Sequence, residues 1–236
     1  MYTKTAAFYD AIYAARGKDY AGEAAWLRAA IAGERREGGL KLLDVACGTG
    51  MHLSMLDAHF SVAGLDAEPA MIAIARSRLP GIPLQVARMQ DFAIGAPVDA
   101  IVCLGSSIGY VRELLGLQTT LAHFARALGP GGIAIVEPWL TPNDWREETI
   151  GVVFVDRPQL KIARVDTSER YGRISVLRFE YLVGEPSSGI SRFNETHTLG
   201  LFSDEEYRAA FEAAAFRVRL ERTDIFPRGL YVARKA

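Results

Sequence analysis

The chain has 236 residues, 50% of them hydrophobic, and a formal net charge of -1 at pH 7. This length suits one sizeable globular domain, with or without a large insertion, and the balanced charge argues against a nucleic-acid-binding surface. The two cysteines lie far apart in the sequence, which argues against a disulfide framework and favours the cytoplasm. The sequence has no apolar signal-peptide core and no apolar run of the roughly 18 residues that cross a membrane, so no membrane partner is expected.

The first 37 residues have a helical pattern, and from residue 40 strands alternate with helices. Strands are predicted at 40–46, 60–66, 82–87, 98–105 and 132–139, and helices after the first of them and at 68–79 and 112–128. The sequence GPGG at 129–132 is expected to close the last of these helices. Strands that alternate with helices indicate a doubly wound α/β fold with a mostly parallel sheet.

The pattern changes between residues 143 and 202, where alternating strands and turn signals predict an antiparallel β insertion. Ser203 and Glu206 then form a capping box at the start of a helix over 203–216. Two final strands close a seven-stranded sheet as an antiparallel pair. We therefore predict a main domain over 1–142 and 203–236, with an N-terminal helical lid, and a flap over 143–202 that covers a substrate pocket and pairs two subunits in a homodimer.

The stretch LLDVACGTGMHL, residues 42 to 53, ends a buried strand and then nearly loses its side chains at Gly48 and Gly50. In open α/β sheets ligands bind beyond the carboxyl ends of the strands, and glycines there let the backbone approach a ligand closely. Asp66 ends the next strand, 22 residues after Asp44, and a carboxylate there suits a pair of ribose hydroxyls. The stretch predicts a small-molecule cradle. The alternative is a tight strand-to-helix turn without a ligand. The sequence motif of a phosphate-binding NTPase loop is absent, which excludes that class of site.

These residues resemble the class I S-adenosylmethionine-dependent methyltransferases. The resemblance lies in LLDVACGTGMHL, VAGLDAEPAMIAIAR, MQDF, VDAIVCLGSSIGYV and LGPGGIAIVEPW, and it covers nearly the whole chain. Within this family, the chain most resembles the enzymes that dimethylate the amino group of nucleotide-linked (dTDP) deoxyaminosugars in antibiotic biosynthesis. This narrower resemblance lies in FYDAIYAARGKDY, SSIGYV, VEPW and RGLYV. It implies a Rossmann-like fold, a nucleotide-sugar amine as substrate, and S-adenosyl-L-methionine as the cofactor, released as S-adenosyl-L-homocysteine.

The cofactor contacts that this resemblance implies come from the strand ends and from the lid. They are Tyr9, Tyr20, Asp44, Ala46, Gly48, Gly50, Asp66, Met71, Met89, Gln90 and Leu104. Asp66 is expected to hold the ribose hydroxyls, and Tyr20 to reach the methionine carboxylate. Arg88 departs from the resemblance, because relatives often carry an acid there beside the adenine.

Three residues are expected at the reacting amine. Tyr110 stands where relatives often carry histidine, and because a neutral phenol is a poor base we expect it to orient the amine. Tyr2 is expected to close over the same pocket. Glu137 either faces the acceptor or forms a structural ion pair. His197 is a further candidate from the flap, and the residues expected to bind the rest of the substrate are Ser106, Ser107, Trp139 and Arg228.

Arg228 is expected to bind a nucleotide diphosphate, since a guanidinium suits phosphate oxygens; the alternative is a solvated surface charge. No Cys/His cluster has metal-ligand spacing, so no metal is expected. Methyl transfer is an in-line displacement in which the protein supplies positioning, but a protonated amine must first lose a proton. Two other hypotheses stay open: an O-methyltransferase for a sugar or natural-product hydroxyl, and a cofactor-binding module that regulates a partner.

Overall fold

The computed structural model describes residues 2–34, 40–147 and 149–236. Its helices and strands, in chain order, are α1 (Tyr9–Ala15), α2 (Tyr20–Glu34), β1 (Lys41–Val45), α3 (Met51–Leu56), β2 (Ser61–Asp66), α4 (Pro69–Arg78), β3 (Leu84–Val86), β4 (Val98–Cys103), α5 (Leu114–Ala127), β5 (Leu128–Val136), β6 (Ile150–Arg157), β7 (Leu160–Tyr171), β8 (Ile174–Glu185), β9 (Gly189–Gly200), α6 (Asp204–Ala213), β10 (Phe216–Glu221) and β11 (Leu230–Lys235). Short 3-10 turns precede α1 and α5.

The strands form two sheets. The larger has seven strands in the order β3-β2-β1-β4-β5-β11-β10, and only β11 runs antiparallel to its neighbours. This confirms the predicted doubly wound, mostly parallel sheet and its antiparallel end pair. The strand order reverses between β1 and β4, and this switch point is where open α/β sheets bind ligands.

Both faces of the large sheet are covered, because successive side chains of a strand point to opposite faces. In β4, Ile101 and Cys103 pack with residues of α5 and α6. Ala100 and Val102 pack on the other face with residues of α2, α3 and α4. The continuous apolar runs in the sequence arise from this double burial, and they fix the strand ends that carry the site.

Some predicted boundaries differ from the structure. Helix α5 ends at Ala127, and the GPGG stretch that was expected to close it lies inside β5, where the pairing with β4 shifts register between Val98 and Ala100. Gly131 has φ of +65°, a conformation that favours glycine. The capping box of Ser203 and Glu206 is confirmed at the start of α6. The helical pattern predicted for the first 37 residues continues to Glu34, and 35–37 lie outside the described residues.

The second sheet is an antiparallel meander in the order β6-β7-β8-β9, so the predicted β insertion is confirmed. Its strands occupy Ile150–Gly200, inside the predicted flap of 143–202, whose boundaries stay a prediction. The inner face of this sheet packs Val155, Ile162 and Phe179 against Ile12 of α1. The lid therefore lies between the flap and the large sheet. Within the described ranges no helix has the length and apolar character needed to cross a bilayer.

Candidate active site

The glycine loop after β1 begins the site. Gly48 has φ of +55°, and no described atom lies within 4 Å of the position that a Cβ would take there, so its backbone is open to a ligand. Gly50 has φ of +79°, but a Cβ at Gly50 would lie 3.1 Å from Cδ1 of Leu79 and 3.3 Å from Cβ of Ala75. Gly50 is thus required by its backbone conformation and by close packing on α4, and its expected contact with the cofactor stays a prediction.

Two carboxylates lie beneath this loop. Asp66 Oδ2 accepts a hydrogen bond from the Gly48 N–H at 2.9 Å, and its Oδ1 accepts one from the Glu68 N–H at 2.8 Å. Burial raises the pKa of Asp66, and these N–H groups partly offset it. Asp44 is 1% exposed, and its Oδ2 has no hydrogen-bond partner among the described residues. Burial, and then the charge of Asp66, raise the pKa of Asp44 well above its usual range. A buried, unpartnered carboxyl oxygen of this kind suits a cationic ligand group.

Two small pockets flank the loop. The Asp66 pocket, of about 70 Å³, and the Asp44 pocket, of about 40 Å³, share four lining residues: Tyr9, Ala46, Gly48 and Ser107. The expected cofactor contacts that line one or both are Tyr9, Tyr20, Asp44, Ala46, Gly48, Asp66, Met71, Met89 and Leu104. Gln90 is not among the described lining residues, because the tight turn between Arg88 and Asp91 directs it towards Gly116 of α5.

A much larger cavity, of about 600 Å³, lies between the lid, the strand ends and the flap; we call it the flap cavity. Of the residues expected at the substrate it is lined by Tyr2, Tyr110, Glu137, Trp139 and Arg228. Tyr2 and Tyr110 also line the Asp66 pocket, so they mark the boundary between the two spaces. The flap adds His197 to the same wall.

Glu137 and Arg228 pair with each other at one wall of the flap cavity. Glu137 is 1% exposed; its Oε1 accepts from Nη2 of Arg228 at 2.5 Å and its Oε2 from the Gly105 N–H at 2.7 Å. The guanidinium of Arg228 also lies 5.7 Å from the ring centroid of Trp139. The geometry therefore agrees with the structural ion pair for Glu137 and not with a free anion at the acceptor.

The two serines expected at the substrate lie elsewhere. Ser106, in a left-handed conformation with φ of +58°, donates its hydroxyl to the Pro138 carbonyl at 2.6 Å, and it lines none of the three spaces as far as the described residues show. Ser107 lines both small pockets. In the turn after β4, Ser106 is therefore bonded to the backbone that follows β5, and Ser107 faces the two small pockets.

Comparison with known proteins agrees with this geometry. Residues 42–132 match the methyltransferase domain family. The chain is 38% identical over 225 residues to dTDP-3-amino-3,4,6-trideoxy-alpha-D-glucopyranose N,N-dimethyltransferase of Streptomyces venezuelae, covering 95% of this chain and 94% of that protein. The chain belongs to the class I S-adenosylmethionine-dependent methyltransferases.

Solved structures of the family match the fold over almost its whole length. DesVI of Streptomyces venezuelae has a TM-score of 0.91 at 38% identity, and CalS10, an amino pentose methyltransferase from Micromonospora echinaspora with bound cofactor, has 0.88 at 36%. Each comparison covers 97% of both chains. The predicted recognition of this family, and the fold class with it, are confirmed.

The cofactor of the family is S-adenosylmethionine, and the residues present fit it. The unpartnered Oδ2 of buried Asp44 suits the ammonium group of the methionine half. Asp66 keeps lone pairs free for ribose hydroxyls beside its two backbone bonds. Met71 and Met89 provide apolar walls for a flat ring in the Asp66 pocket.

The sequence did not predict the polar contacts that join lid helix α1 to the glycine loop after β1. Asp10 of α1 accepts from the Thr49 hydroxyl at 2.6 Å and from Nη2 of Arg78 at 2.5 Å, and Arg78 also donates to the Thr49 carbonyl. A second group, Lys18 and His52 on either side of Glu23, borders the Asp44 pocket. His52 could be predicted at the cofactor pocket from its place after the glycine loop, with packing as the alternative. For Asp10 and Arg78 the sequence signal was a charged residue in an otherwise apolar helix, which also occurs on any solvated face.

Proposed function

We propose that this methyltransferase transfers methyl groups to the amino group of a nucleotide-linked deoxyaminosugar, in two successive reactions that give a dimethylamine, in antibiotic biosynthesis. The carrying observation is that the chain matches a relative named for this activity over 95% of its length. A flap cavity of about 600 Å³, next to the cofactor pockets, supports it, since small-molecule sites have about 300–1,000 Å³. Two buried free thiols, Cys47 and Cys103, support a cytoplasmic location.

In methyl transfer, the main task of the protein is to position the acceptor nitrogen relative to the methyl group of the cofactor. The cofactor supplies an activated methyl group on its sulfonium. The chain holds the acceptor nitrogen in line with that group, and positioning of two reactants is worth about 7–11 kcal/mol of the barrier. Tyr110 is proposed to orient the amine, because its side chain lines both the flap cavity and the Asp66 pocket. Tyr2 covers the same boundary from the lid.

Arg228 is proposed to bind the nucleotide diphosphate in the flap cavity, which its side chain lines. Its side chain is 33% exposed, and its Nε has no hydrogen-bond partner among the described residues. Nucleotide binding would then add a second anion to a guanidinium already placed by Glu137 and Trp139. Arginine donates from a fixed planar fork, which suits such shared contacts.

The proposal is tested by incubating the protein with S-adenosylmethionine and dTDP-linked 3-amino and 4-amino deoxyglucoses, with mass spectrometry of the sugar. We expect a gain of one and then two methyl groups. The matched sugars with a hydroxyl in place of the amine are the control. Methylation of the hydroxyl sugar alone would favour the O-methyltransferase, and tight cofactor binding without transfer to either sugar would favour a regulatory module.

We also propose that two copies pair through the outer face of the flap. Ile150, Val152 and Phe154 of edge strand β6 are 77%, 56% and 65% exposed, and they point away from the buried Val155 side. Val165, opposite Val152 in the register, extends this apolar face. An edge strand with an exposed apolar face favours association.

Sedimentation tests the dimer against the chain mass of 25.8 kDa. We expect a species of twice that mass, and the Phe154→Glu variant to be monomeric because a charge would be buried at the interface. Leu115→Glu, at a residue 71% exposed on α5, is the matched control and should stay dimeric. A monomeric wild type at micromolar concentration contradicts the proposal.

A further inference from the structure

Three side chains form a row from the flap cavity into the protein. The Tyr110 hydroxyl lies 2.6 Å from Nδ1 of His197, and Nε2 of His197 lies 3.6 Å from Oε2 of Glu195. Tyr110 belongs to the turn after β4, whereas the other two belong to β9. His197 is 1% exposed and yet borders the cavity.

The imidazole of His197 is fixed by aromatic rings. The ring centroid of Tyr2 lies 4.3 Å away and that of Phe179 lies 4.9 Å away. The groups that face it and can titrate are Tyr2 from the lid, Tyr110 from the turn and Glu195 from its own strand; β8 presents Phe179 and Leu177, which cannot. Arg164 of β7 stacks on the Phe179 ring. The ring therefore has a hydroxyl on one nitrogen and a carboxylate near the other.

Glu195 is held as an anion at the inner end of the row. Its Oε1 accepts from the backbone N–H groups of Lys4 at 2.7 Å and Thr5 at 3.2 Å, and its Oε2 accepts from the Thr5 hydroxyl. Burial raises the pKa of Glu195, but the nearby His197 ring and the hydrogen bonds from Thr5 and the two N–H groups outweigh it, and the pKa lies below its usual range. An anion beside an imidazole stabilises the protonated ring.

We propose that His197 accepts the proton of the substrate amine through the hydroxyl of Tyr110, with Glu195 as the positioning residue for the ring. The inference rests on the proposed function. The protonated amine gives one proton to Oη of Tyr110, and the original hydroxyl proton passes to Nδ1 of His197. The electron pair of the broken N–H bond stays on nitrogen as the lone pair that attacks the methyl group.

The proton count balances without any other reactant. Tyr110 ends as the neutral phenol it was, and His197 becomes an imidazolium whose Nε2–H faces Glu195. Burial raises the pKa of Tyr110 above its usual value, which keeps it a phenol that relays a proton. The imidazolium returns its proton from Nδ1 through the Tyr110 hydroxyl to water in the flap cavity, and the row is ready for the second transfer.

The kinetic test uses His197→Gln, which keeps a polar side chain but cannot accept a proton, and Tyr110→Phe. At pH 7 we expect kcat to fall about 10²-fold or more in each, with no further loss in the double variant and an unchanged cofactor Kd. The loss should shrink as pH rises, because the amine then deprotonates in water. His123→Gln, on α5, is the control. A loss of the same factor at every pH would mean a structural role and overturn the proposal.

A second readout needs no turnover. In cofactor-free protein with ¹⁵N-labelled histidine, NMR should show that Nε2 of His197 carries a proton and that Nδ1 accepts the Tyr110 hydrogen bond, so Tyr110→Phe should shift the Nδ1 signal. Glu195→Gln should shift the Nε2 signal of His197, because the carboxylate that lies 3.6 Å from this nitrogen is lost. A proton on Nδ1, or no response to either variant, overturns the relay. Failure of the wild type to methylate any amine, with these spectra as expected, instead overturns the proposed function.

Discussion

The cofactor cradle and the flap cavity are built in different ways. The cradle, by which we mean the glycine loop with the Asp44 and Asp66 pockets, takes its residues from the ends of adjacent parallel strands. Asp44 and Asp66 lie close together because β1 and β2 are paired neighbours in the sheet. The flap cavity takes its residues from distant parts of the chain: Tyr110 and His197 are 87 positions apart. A cradle fixed by topology and a cavity fixed by long-range packing should respond separately to mutation.

Asp66→Ala tests whether the cofactor pockets and the flap cavity respond independently to mutation. We expect the cofactor Kd to rise on the order of 10²-fold, since hydrogen bonds to a charged group contribute about 1.5–3 kcal/mol each. Calorimetry with S-adenosylhomocysteine measures it. Asp66→Asn, which retains one acceptor oxygen, should lose less, and Asp57→Ala on the surface should lose nothing. Binding of a nucleoside diphosphate should be unchanged; if it falls in parallel, the two regions are not independent.

Arg228→Ala tests the flap cavity in the same manner. We expect binding of a nucleoside diphosphate to weaken about tenfold or more, because a charge-assisted contact is lost, while the cofactor Kd stays constant. The substitution also leaves buried Glu137 without its cation, so Arg228→Lys should recover folding but not the planar fork. Arg126→Ala, exposed on α5, is the control. Unchanged nucleotide affinity in Arg228→Ala would exclude its role.

Asp10→Asn tests whether the lid couples the two regions. The variant weakens the bonds to Thr49 and Arg78, and partly exposed ion pairs contribute about 0.2–1 kcal/mol. We therefore expect cofactor dissociation to be about two- to fivefold faster in stopped-flow measurements. Asp156→Asn, on an exposed flap strand, is the control. An unchanged rate would show that the lid is held by its apolar contacts with the flap.

The cradle could be predicted from the sequence because its signals are local. A strand that is apolar on both faces and then ends in glycines indicates a switch-point loop, and Asp66 follows at the end of the next strand. The same reasoning cannot assign each position. Whether Gly50 meets a ligand or Leu79 depends on how α4 packs, and the direction of Gln90 depends on a tight turn.

The flap cavity could be predicted only in part, because its contacts are long-range. A single histidine in an alternating strand is equally compatible with packing and with catalysis, so His197 had no decisive signal. Its role depends on the register of β9 and on the turn that presents Tyr110. Glu137 likewise required the position of Arg228, 91 residues later, before its two hypotheses could be separated.

Asp44→Asn should change the stability of the cofactor-free protein by a small amount that depends on pH. Because the pKa of buried Asp44 is raised on folding, its stabilising contribution is present below the ordinary Asp pKa and is lost as pH rises through the folded value. Asp44→Asn removes this loss, so cofactor-free protein should melt a few degrees higher at pH 8, at about 2–4 °C per kcal/mol, with little change near pH 4. The variant should also bind the cofactor more weakly, since an amide does not neutralise its ammonium group. Asp57→Asn, exposed on the surface, should leave both curves unchanged, and a variant that melts lower at pH 8 would mean that Asp44 already has a cationic partner in the free protein.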